Sequence, residues 1–221
     1  MTVINTNIAE TINIGQNGTY DVARYTTANV SVGGSGKYEL FQRVKDDNNV
    51  EIGTVVGFRK DSNNNEYAVV CLDNTYRSVS YFTILSTATQ ITDLPHYTSI
   101  NVYEAKETAT YNCDKILAQA TTSGLTSGAV SECRNHSFVI DGITYYGQVP
   151  SLVEMVYILL NRTTINTKDP SGSIGASSSF WTSTAGESTR MWTFRYWGQI
   201  GDVSQTQSSI SVIPILEIPN A

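Results

Sequence analysis

The side chains best suited to nucleophilic chemistry are three cysteines, Cys71, Cys113 and Cys133, and two histidines, His96 and His136. Cys133 precedes His136 by three residues, a spacing that on a short helix would place a thiol beside an imidazole and activate it. The sequence offers no Ser-His-Asp order and no other Cys/His neighbourhood. We therefore interpret the cysteines as small buried thiols and predict that the protein is not an enzyme.

Two oxygen-rich clusters, KDDNN (45–49) and DSNNN (61–65), are candidate ligands for a hard cation such as calcium, which takes about six to eight oxygens. Asn/Asp clusters between apolar segments are also typical of turns, and we interpret both clusters as turns. The GGSG at 33–36 lacks the lysine and the following helix that a phosphate-binding loop needs. We expect no metal and no cofactor.

Composition narrows the range of partners. The formal net charge is −6, the sequence pI is about 4.9, and only 15% of the residues are charged. A nucleic-acid-binding protein needs a basic stripe, so we predict no nucleic acid partner. No window approaches the ~20 apolar residues of a membrane span, and the N-terminal segment has no signal-peptide pattern, so we expect neither membrane insertion nor a signal peptide.

The tryptophans, Trp181, Trp192 and Trp197, all lie in one polar stretch near the C-terminal end. Strand alternation in MWTFRYW (191–197) predicts a purely aromatic face for the core and a mixed face that carries Trp197. Flat aromatic rings with adaptable polar neighbours are typical of binding surfaces, so 185–209 is a candidate recognition surface. The predicted ligand-contacting residues are Arg190, Thr193, Arg195, Tyr196, Trp197, Asp202, Gln205 and Gln207. A subunit contact in a homotrimer and a solvated loop are the alternatives for this region.

The elements that would position these residues are strands, then helices, then strands again. Alternating segments within 38–85 predict an antiparallel meander of about four strands. Helices are expected over 112–120 and after Ser151, which forms a capping-box pattern with Glu154. Asp141-Gly142 indicates a hairpin between the helices, and strands return after a Ser/Gly-rich loop. This order predicts an α+β fold.

The N-terminal part forms a separate unit in this scheme. Asn17-Gly18 between two short alternating segments predicts a β-hairpin. We expect residues 1–32 to form a small β arm for attachment or oligomerisation, 33–36 to be a Gly/Ser linker, and 37–221 to form the main domain, called the head below.

Four segments of the head occur in an order that resembles the C-type-lectin-fold domains of bacterial and phage surface proteins. They are QVPSLVEM (148–155), FWTST (180–184), MWTFRYWG (191–198) and VIPILEI (212–218), although Ile213 replaces the usual arginine. These domains are relatives in fold of the formylglycine-generating enzymes and of the variable receptor-binding proteins of phages. The cysteine pair of those enzymes is missing, and so are intact calcium-binding motifs, since EIPN (217–220) carries an inserted isoleucine. The resemblance thus implies a C-type-lectin-like fold without catalysis or calcium.

The arm sequence NGTYDVARYTTANVSV (17–32) is similar to an element found in phage structural and fibre proteins. Together the two resemblances imply a non-enzymatic protein on the surface of a virion, made in the host cytoplasm. Residues 1–32 would contact other virion proteins, and the head of a homotrimer would bind a host-surface glycan or protein. A purely structural capsid or tail decoration protein and a bacterial surface adhesin are the alternatives.

Overall fold

Helices and antiparallel sheets together make up the fold, which confirms the predicted α+β class. The computed structural model describes eight stretches of the chain, namely 11–13, 19–21, 36–61, 63–77, 82–98, 107–174, 179–195 and 200–221. In chain order, the strands and helices of these stretches are β1 (Thr11–Asn13), β2 (Thr19–Asp21), β3 (Arg43–Lys45), β4 (Glu51–Lys60), β5 (Glu66–Leu72), α1 (Ala109–Thr122), α2 (Gly128–Arg134), β6 (Ser137–Ile140), β7 (Ile143–Tyr146), α3 (Leu152–Leu160), α4 (Arg162–Lys168), β8 (Ser179–Ala185), β9 (Arg190–Arg195), β10 (Ile200–Ser204) and β11 (Ile215–Pro219).

The N-terminal arm contains the predicted hairpin. Strands β1 and β2 pair antiparallel, with Ile12 opposite Tyr20. The Asn17-Gly18 turn itself lies outside the described residues, as do residues 22–35. The pairing confirms that the two short alternating segments of the arm form strands.

The first sheet of the head has the order β11-β5-β4-β3. Every residue of β4 except its two ends is buried, so this strand is covered on both faces. The predicted meander is confirmed for β3, β4 and β5, but its fourth strand is wrong over 82–85, where the chain is irregular. Ile84 and Leu85 are fully buried there, and the Ile84 backbone donates to the Gln205 carbonyl at 2.9 Å instead of to a neighbouring strand. The apolar residues of this segment therefore pack in the core without forming a strand.

The second sheet has the order β10-β9-β8 and contains the tryptophan region. Trp181, Trp192 and Phe194 are buried, which confirms the predicted core positions. The Trp181 indole Nε1 donates to the Phe82 carbonyl at 2.6 Å and so ties the sheet to the irregular segment. Burial of these rings removes a large apolar area from water, so they contribute strongly to the stability of this half of the head.

Helix α3 begins with the predicted capping box. The Glu154 amide donates to Ser151 Oγ at 3.5 Å, and the Ser151 amide donates to Glu154 Oε2 at 2.6 Å. The helix then packs closely on β4, since a Cβ at Gly57 would lie 2.5 Å from Cδ2 of Tyr157. Helix α1 is longer than the predicted 112–120, and α4 occupies the start of a segment predicted as loop.

The beginning and the end of the head meet. The Tyr38 amide donates to Asn220 Oδ1 at 2.8 Å, while the Asn220 amide donates to the Glu66 carbonyl at 2.9 Å. Gly36 lies so close to the Asn220 carbonyl that a Cβ there would overlap it. Thus the last residue of the predicted linker packs against the head, and residues 33–35 lie outside the described residues.

Candidate functional site

The predicted recognition surface includes an ion pair on the second sheet. In the antiparallel pairing of β9 with β10, Ser204 lies opposite Arg190 and Asp202 lies opposite Trp192. Arg190 and Asp202 are therefore diagonal neighbours, and Arg190 Nε donates to Asp202 Oδ2 at 2.8 Å. Their side chains are 46% and 32% exposed. Both groups are accessible to a partner, although a ligand would have to compete with the pair.

Two predicted contact residues have structural roles instead. Thr193 is buried because β9 is the central strand of its sheet, and its Oγ1 donates to the Gly201 carbonyl at 2.9 Å. Gln205 is fully buried, and its Oε1 accepts from the Thr89 amide at 3.1 Å. Neither side chain reaches the surface, so the predicted ligand contacts of Thr193 and Gln205 are corrected.

The remaining predicted residues lie near this pair in sequence. Gln207 is exposed and donates from Nε2 to Ser209 Oγ at 2.6 Å. Arg195 ends β9, but its side chain lies outside the described part of the structure, as do Tyr196 and Trp197. Within the described residues, the predicted surface therefore consists of Arg190, Asp202 and Gln207.

A groove of about 700 Å³ lies elsewhere on the head. It is bordered by the start of α1, the end of α2, the hairpin β6–β7 and the ends of β5 and β11. A cleft of this size with convergent polar groups is the usual form of a ligand site. The groove is lined by Asp61, Tyr67, Glu107, Thr108, Thr110, Tyr111, Asp114, Arg134, Thr144, Tyr145, Tyr146, Gln148, Glu217 and Pro219.

Tyrosine rings form much of the groove wall. Tyr111 and Tyr146 are 42% and 48% exposed, whereas Tyr67 and Tyr145 are partly buried. Burial raises the pKa of Tyr67 and of Tyr145, so both phenols keep their protons at neutral pH. The wall thus offers flat apolar faces together with hydroxyl groups that donate and accept hydrogen bonds.

Glu217, on the last strand, is held in the groove wall by the start of helix α1. Its Oε2 accepts from the Thr110 amide at 2.8 Å, and its Oε1 accepts from the Ala109 amide at 3.2 Å. These amides are among the groups that a helix leaves unsatisfied at its N-terminus, where a negative charge is favoured. The contact fixes β11 against α1 and positions one carboxylate of the groove.

The other acidic groups of the groove are also held by neighbours. Asp114 accepts from Arg134 Nη2 at 2.6 Å, and Arg134 Nε donates to Gln148 Oε1 at 3.1 Å. Asp61 accepts from the side chain and backbone of Asn65, and these hydrogen bonds lower the pKa of Asp61. Because each group is oriented in advance, a ligand would meet a defined set of partners.

Behind the groove lies a buried charge network that joins β4 to α3. Arg59 Nη1 donates to Ser151 Oγ at 2.6 Å and to Glu154 Oε1 at 3.2 Å, and the Glu154 side chain is 0% exposed. Burial, and then the charge of Glu217, raise the pKa of Glu154 well above its ordinary range. Because no solvent reaches Glu154, this network supports the wall of the groove and does not contact a ligand.

The thiols are those of a packed core. Cys71, Cys113 and Cys133 are free and buried, as predicted. Burial raises the pKa of Cys133 well above its ordinary value, which disfavours the thiolate, and the His136 ring makes an edge contact with Tyr76 at 5.7 Å. Cys133 therefore lacks the environment of an activated nucleophile, and the Cys/His alternative is not supported.

The Asn/Asp clusters are turns, as predicted. Asp46 Oδ1 accepts from the amides of Asn48 and Val50 at 3.0 and 2.9 Å. Asp61 Oδ1 accepts from the amides of Asn63 and Asn65 at 2.8 and 2.9 Å. Such side-chain bonds to the following backbone are the turn chemistry of aspartate. Among the described residues, no group of three or more His, Cys, Asp or Glu side chains is arranged to hold a metal ion.

Sequence reasoning missed the groove because its walls come from distant parts of the chain. One local signal was available in ITYY, the sequence of β7, where adjacent tyrosines break the alternation of a half-buried strand. Tyr146 is exposed and Tyr145 partly buried, so both faces of this strand carry an aromatic ring. The acidic members, Asp114 and Glu217, gave no comparable signal.

Comparisons of the chain with models of protein families, with curated proteins and with solved structures found no match. Within the described residues, none of the helices combines the length and the apolar character needed to cross a lipid bilayer.

Proposed function

We propose that the chain is a non-enzymatic surface protein of a bacteriophage virion, a fibre or receptor-binding subunit. Residues 1–32 attach it to other virion proteins, 33–36 connect the arm to the head, and 37–221 form a C-type-lectin-like head. In a homotrimer, and in many copies on a particle, weak contacts of each head with a host-surface glycan or protein add up through high effective concentration.

The position of the resembling segments supports the proposed fold. The capping box of QVPSLVEM starts α3, FWTST lies in β8, the first residues of MWTFRYWG form most of β9, and VIPILEI leads into β11. These elements belong to one packed head, since Trp181 and Trp192 are buried in it and β11 pairs with β5. The four motifs thus lie in helices and strands that pack together in the head.

The observation that carries the recognition role is the groove of about 700 Å³ with its exposed tyrosines. Tyrosine supplies a large contact area at low cost in conformational entropy, and for this reason it is common in binding surfaces. The pair Arg190–Asp202 and the exposed Gln207 form a second, more polar surface that stays within the proposal.

The test is binding of the full chain to cells of candidate host bacteria. We expect Tyr146→Ala to weaken binding, because this ring is exposed in the groove. Ile143→Ala is the matched control, since Ile143 is 55% exposed on the same strand and does not line the groove. The double change Arg195→Ala/Trp197→Ala examines the surface predicted from the sequence. Cell binding that none of these changes affects, or no binding to any host, would remove the recognition role.

A second candidate is a structural decoration protein, and exposed apolar side chains on two neighbouring segments favour it. Val50 and Val139 are 48% and 41% exposed. Their segments are neighbours, because the Asp47 amide donates to the Val139 carbonyl at 2.8 Å. Exposed apolar residues on adjoining segments are typical of protein contacts. In this case Val139→Ala would reduce incorporation into particles, and Tyr146→Ala would not.

A further inference from the structure

We propose that the groove binds a saccharide that carries free amino groups, a ligand class that rests on the proposed recognition function. The groove differs in position from the surface predicted around Arg190, and the described residues of that surface, Arg190, Asp202 and Gln207, do not line it. The ligand class follows from the charge of the groove, from its rings and from the interrupted outer edge of strand β11.

Charge favours a cation in the groove. The acidic lining residues are Asp61, Glu107, Asp114 and Glu217, and Arg134 is the one basic side chain among the described lining residues. Arg134 is already paired with Asp114 at 2.6 Å, so it offers little to an anion. The described lining thus carries four acidic side chains and one basic one, and a cleft with a net negative charge raises the local concentration of cationic ligands. Saccharides with carboxylate, sulfate or phosphate groups are disfavoured for the same reason.

The rings favour the same ligand. Aromatic faces attract ammonium groups through their quadrupole, and they also cover the apolar faces of sugar rings. The chain itself shows this at the edge of the groove, where the Lys115 ammonium lies over the Tyr111 ring at 5.5 Å from its centre. Tyr146, on strand β7, also lines the groove and is similarly exposed, so two elements each contribute an accessible ring. A chain of aminosugars matches both the rings and the carboxylates.

A peptide partner fits less well because the outer edge of β11 is interrupted at both ends. The backbone of Gln148 already pairs with Ile215, with N–H to O distances of 2.8 and 3.0 Å between heavy atoms. Pro219, at the end of β11, has no amide hydrogen to donate. The groove therefore recognises a ligand through side chains, as in saccharide sites, and not through main-chain pairing.

The probe is a set of glucosamine oligosaccharides, compared with their N-acetylated forms, which have the same backbone and no charge. We expect the full chain to bind the free amines more tightly, with an advantage that shrinks as salt is added. Asp114→Asn and Tyr146→Ala should each weaken this binding by about two- to fivefold, the size of an exposed cation–ring or ion contact.

Two matched controls accompany these variants. Asp93→Asn is the control for Asp114→Asn, because each change removes an exposed carboxylate from an ion pair, Asp93 with Lys115 and Asp114 with Arg134. Only Asp114 lines the groove. Ile143→Ala removes an exposed apolar side chain from the strand that carries Tyr146. Both should bind as wild type. Equal losses in the control and groove variants would overturn the proposal.

Other outcomes separate the ligand class from the proposed function. Binding of oligolysine but not of the glucosamine oligosaccharides would identify a basic polypeptide partner and overturn the saccharide. Preference for hyaluronate, an anionic polysaccharide, would also overturn it. If cells are bound through Tyr146 while glucosamine oligosaccharides are not, recognition stands and the ligand class fails. If the oligosaccharides bind through Asp114 and Tyr146 while no host cell is bound, the groove site stands and the virion function fails.

Discussion

Replacing Arg59 by methionine tests whether the buried network behind the groove stabilises the head. Arg59 Nη1 donates to Ser151 Oγ at 2.6 Å and to Glu154 Oε1 at 3.2 Å, and the Arg59 and Glu154 side chains are 5% and 0% exposed. Methionine retains most of the apolar stem and removes the cation together with its hydrogen bonds. The change therefore isolates the charge from the packing.

The expected loss follows from the two bonds. A hydrogen bond that involves a charged group contributes about 1.5–3 kcal/mol, and Arg59→Met removes two such bonds. Because the raised pKa keeps the Glu154 carboxyl protonated, no bare charge is left behind, and we expect the free energy of unfolding to fall by about 3–5 kcal/mol. For a chain of this size, ~1 kcal/mol corresponds to ~2–4 °C, so the melting temperature should fall by about 6–20 °C.

Urea unfolding followed by tryptophan fluorescence measures this loss, because Trp181 and Trp192 are buried. Arg190→Met is the matched control, since its pair with Asp202 is partly exposed and should contribute less than about 1 kcal/mol. Adding Glu154→Gln to Arg59→Met should change the stability little further, because the raised pKa already keeps the Glu154 carboxyl neutral in the single variant. A loss for Arg59→Met no larger than that for Arg190→Met would refute the reasoning.

Three further predictions concern the interior of the head. The raised pKa of Glu154 means that the folded protein keeps a proton which the unfolded chain releases above pH 4.5. Stability should therefore fall as the pH rises above 4.5, and it should fall less steeply in Glu154→Gln. Equal slopes of stability against pH in calorimetry would contradict this. Gly57→Ala should destabilise by about 1–3 kcal/mol in urea titration, because the new Cβ would lie 2.5 Å from Tyr157, whereas Gly201→Ala meets open space and should not. Trp181→Phe leaves a void and removes the donor to the partly buried Phe82 carbonyl, so unfolding should cost about 1–3 kcal/mol less. An unchanged urea midpoint would contradict the role assigned to this ring.

Local signals in the sequence predicted much of the framework. The capping box at Ser151 and Glu154 forms because both partners lie within one turn and need no other part of the chain. The same holds for the hairpin at Asp141-Gly142, where both residues adopt positive φ. The core positions of Trp181 and Trp192 followed from alternation and residue size.

The wrong predictions concern residues whose surroundings come from distant parts of the chain. Leu85 lies in a segment with strand propensity, but the segment fills a gap beside Gln205 and forms no ladder. Gln205 itself has a polar side chain of a type usually found at the surface, and it is buried because it satisfies a loop amide. The groove combines Asp61, Tyr111 and Glu217, which are far apart in the sequence. No local pattern encodes such a set.

The contact between Tyr38 and Asn220 has a mechanical consequence for a tethered head. Tension in the chain before Gly36 would enter the head at this contact, and Asn220 would pass it to Glu66 on β5 through bonds of 2.9 and 2.7 Å. Strand β5 has β4 on one side and β11 on the other, so the load would spread into the inner part of the sheet. In the proposed virion protein, pulling on the arm would load this junction, so the force that a head withstands would depend on Asn220 as well as on the proposed binding in the groove.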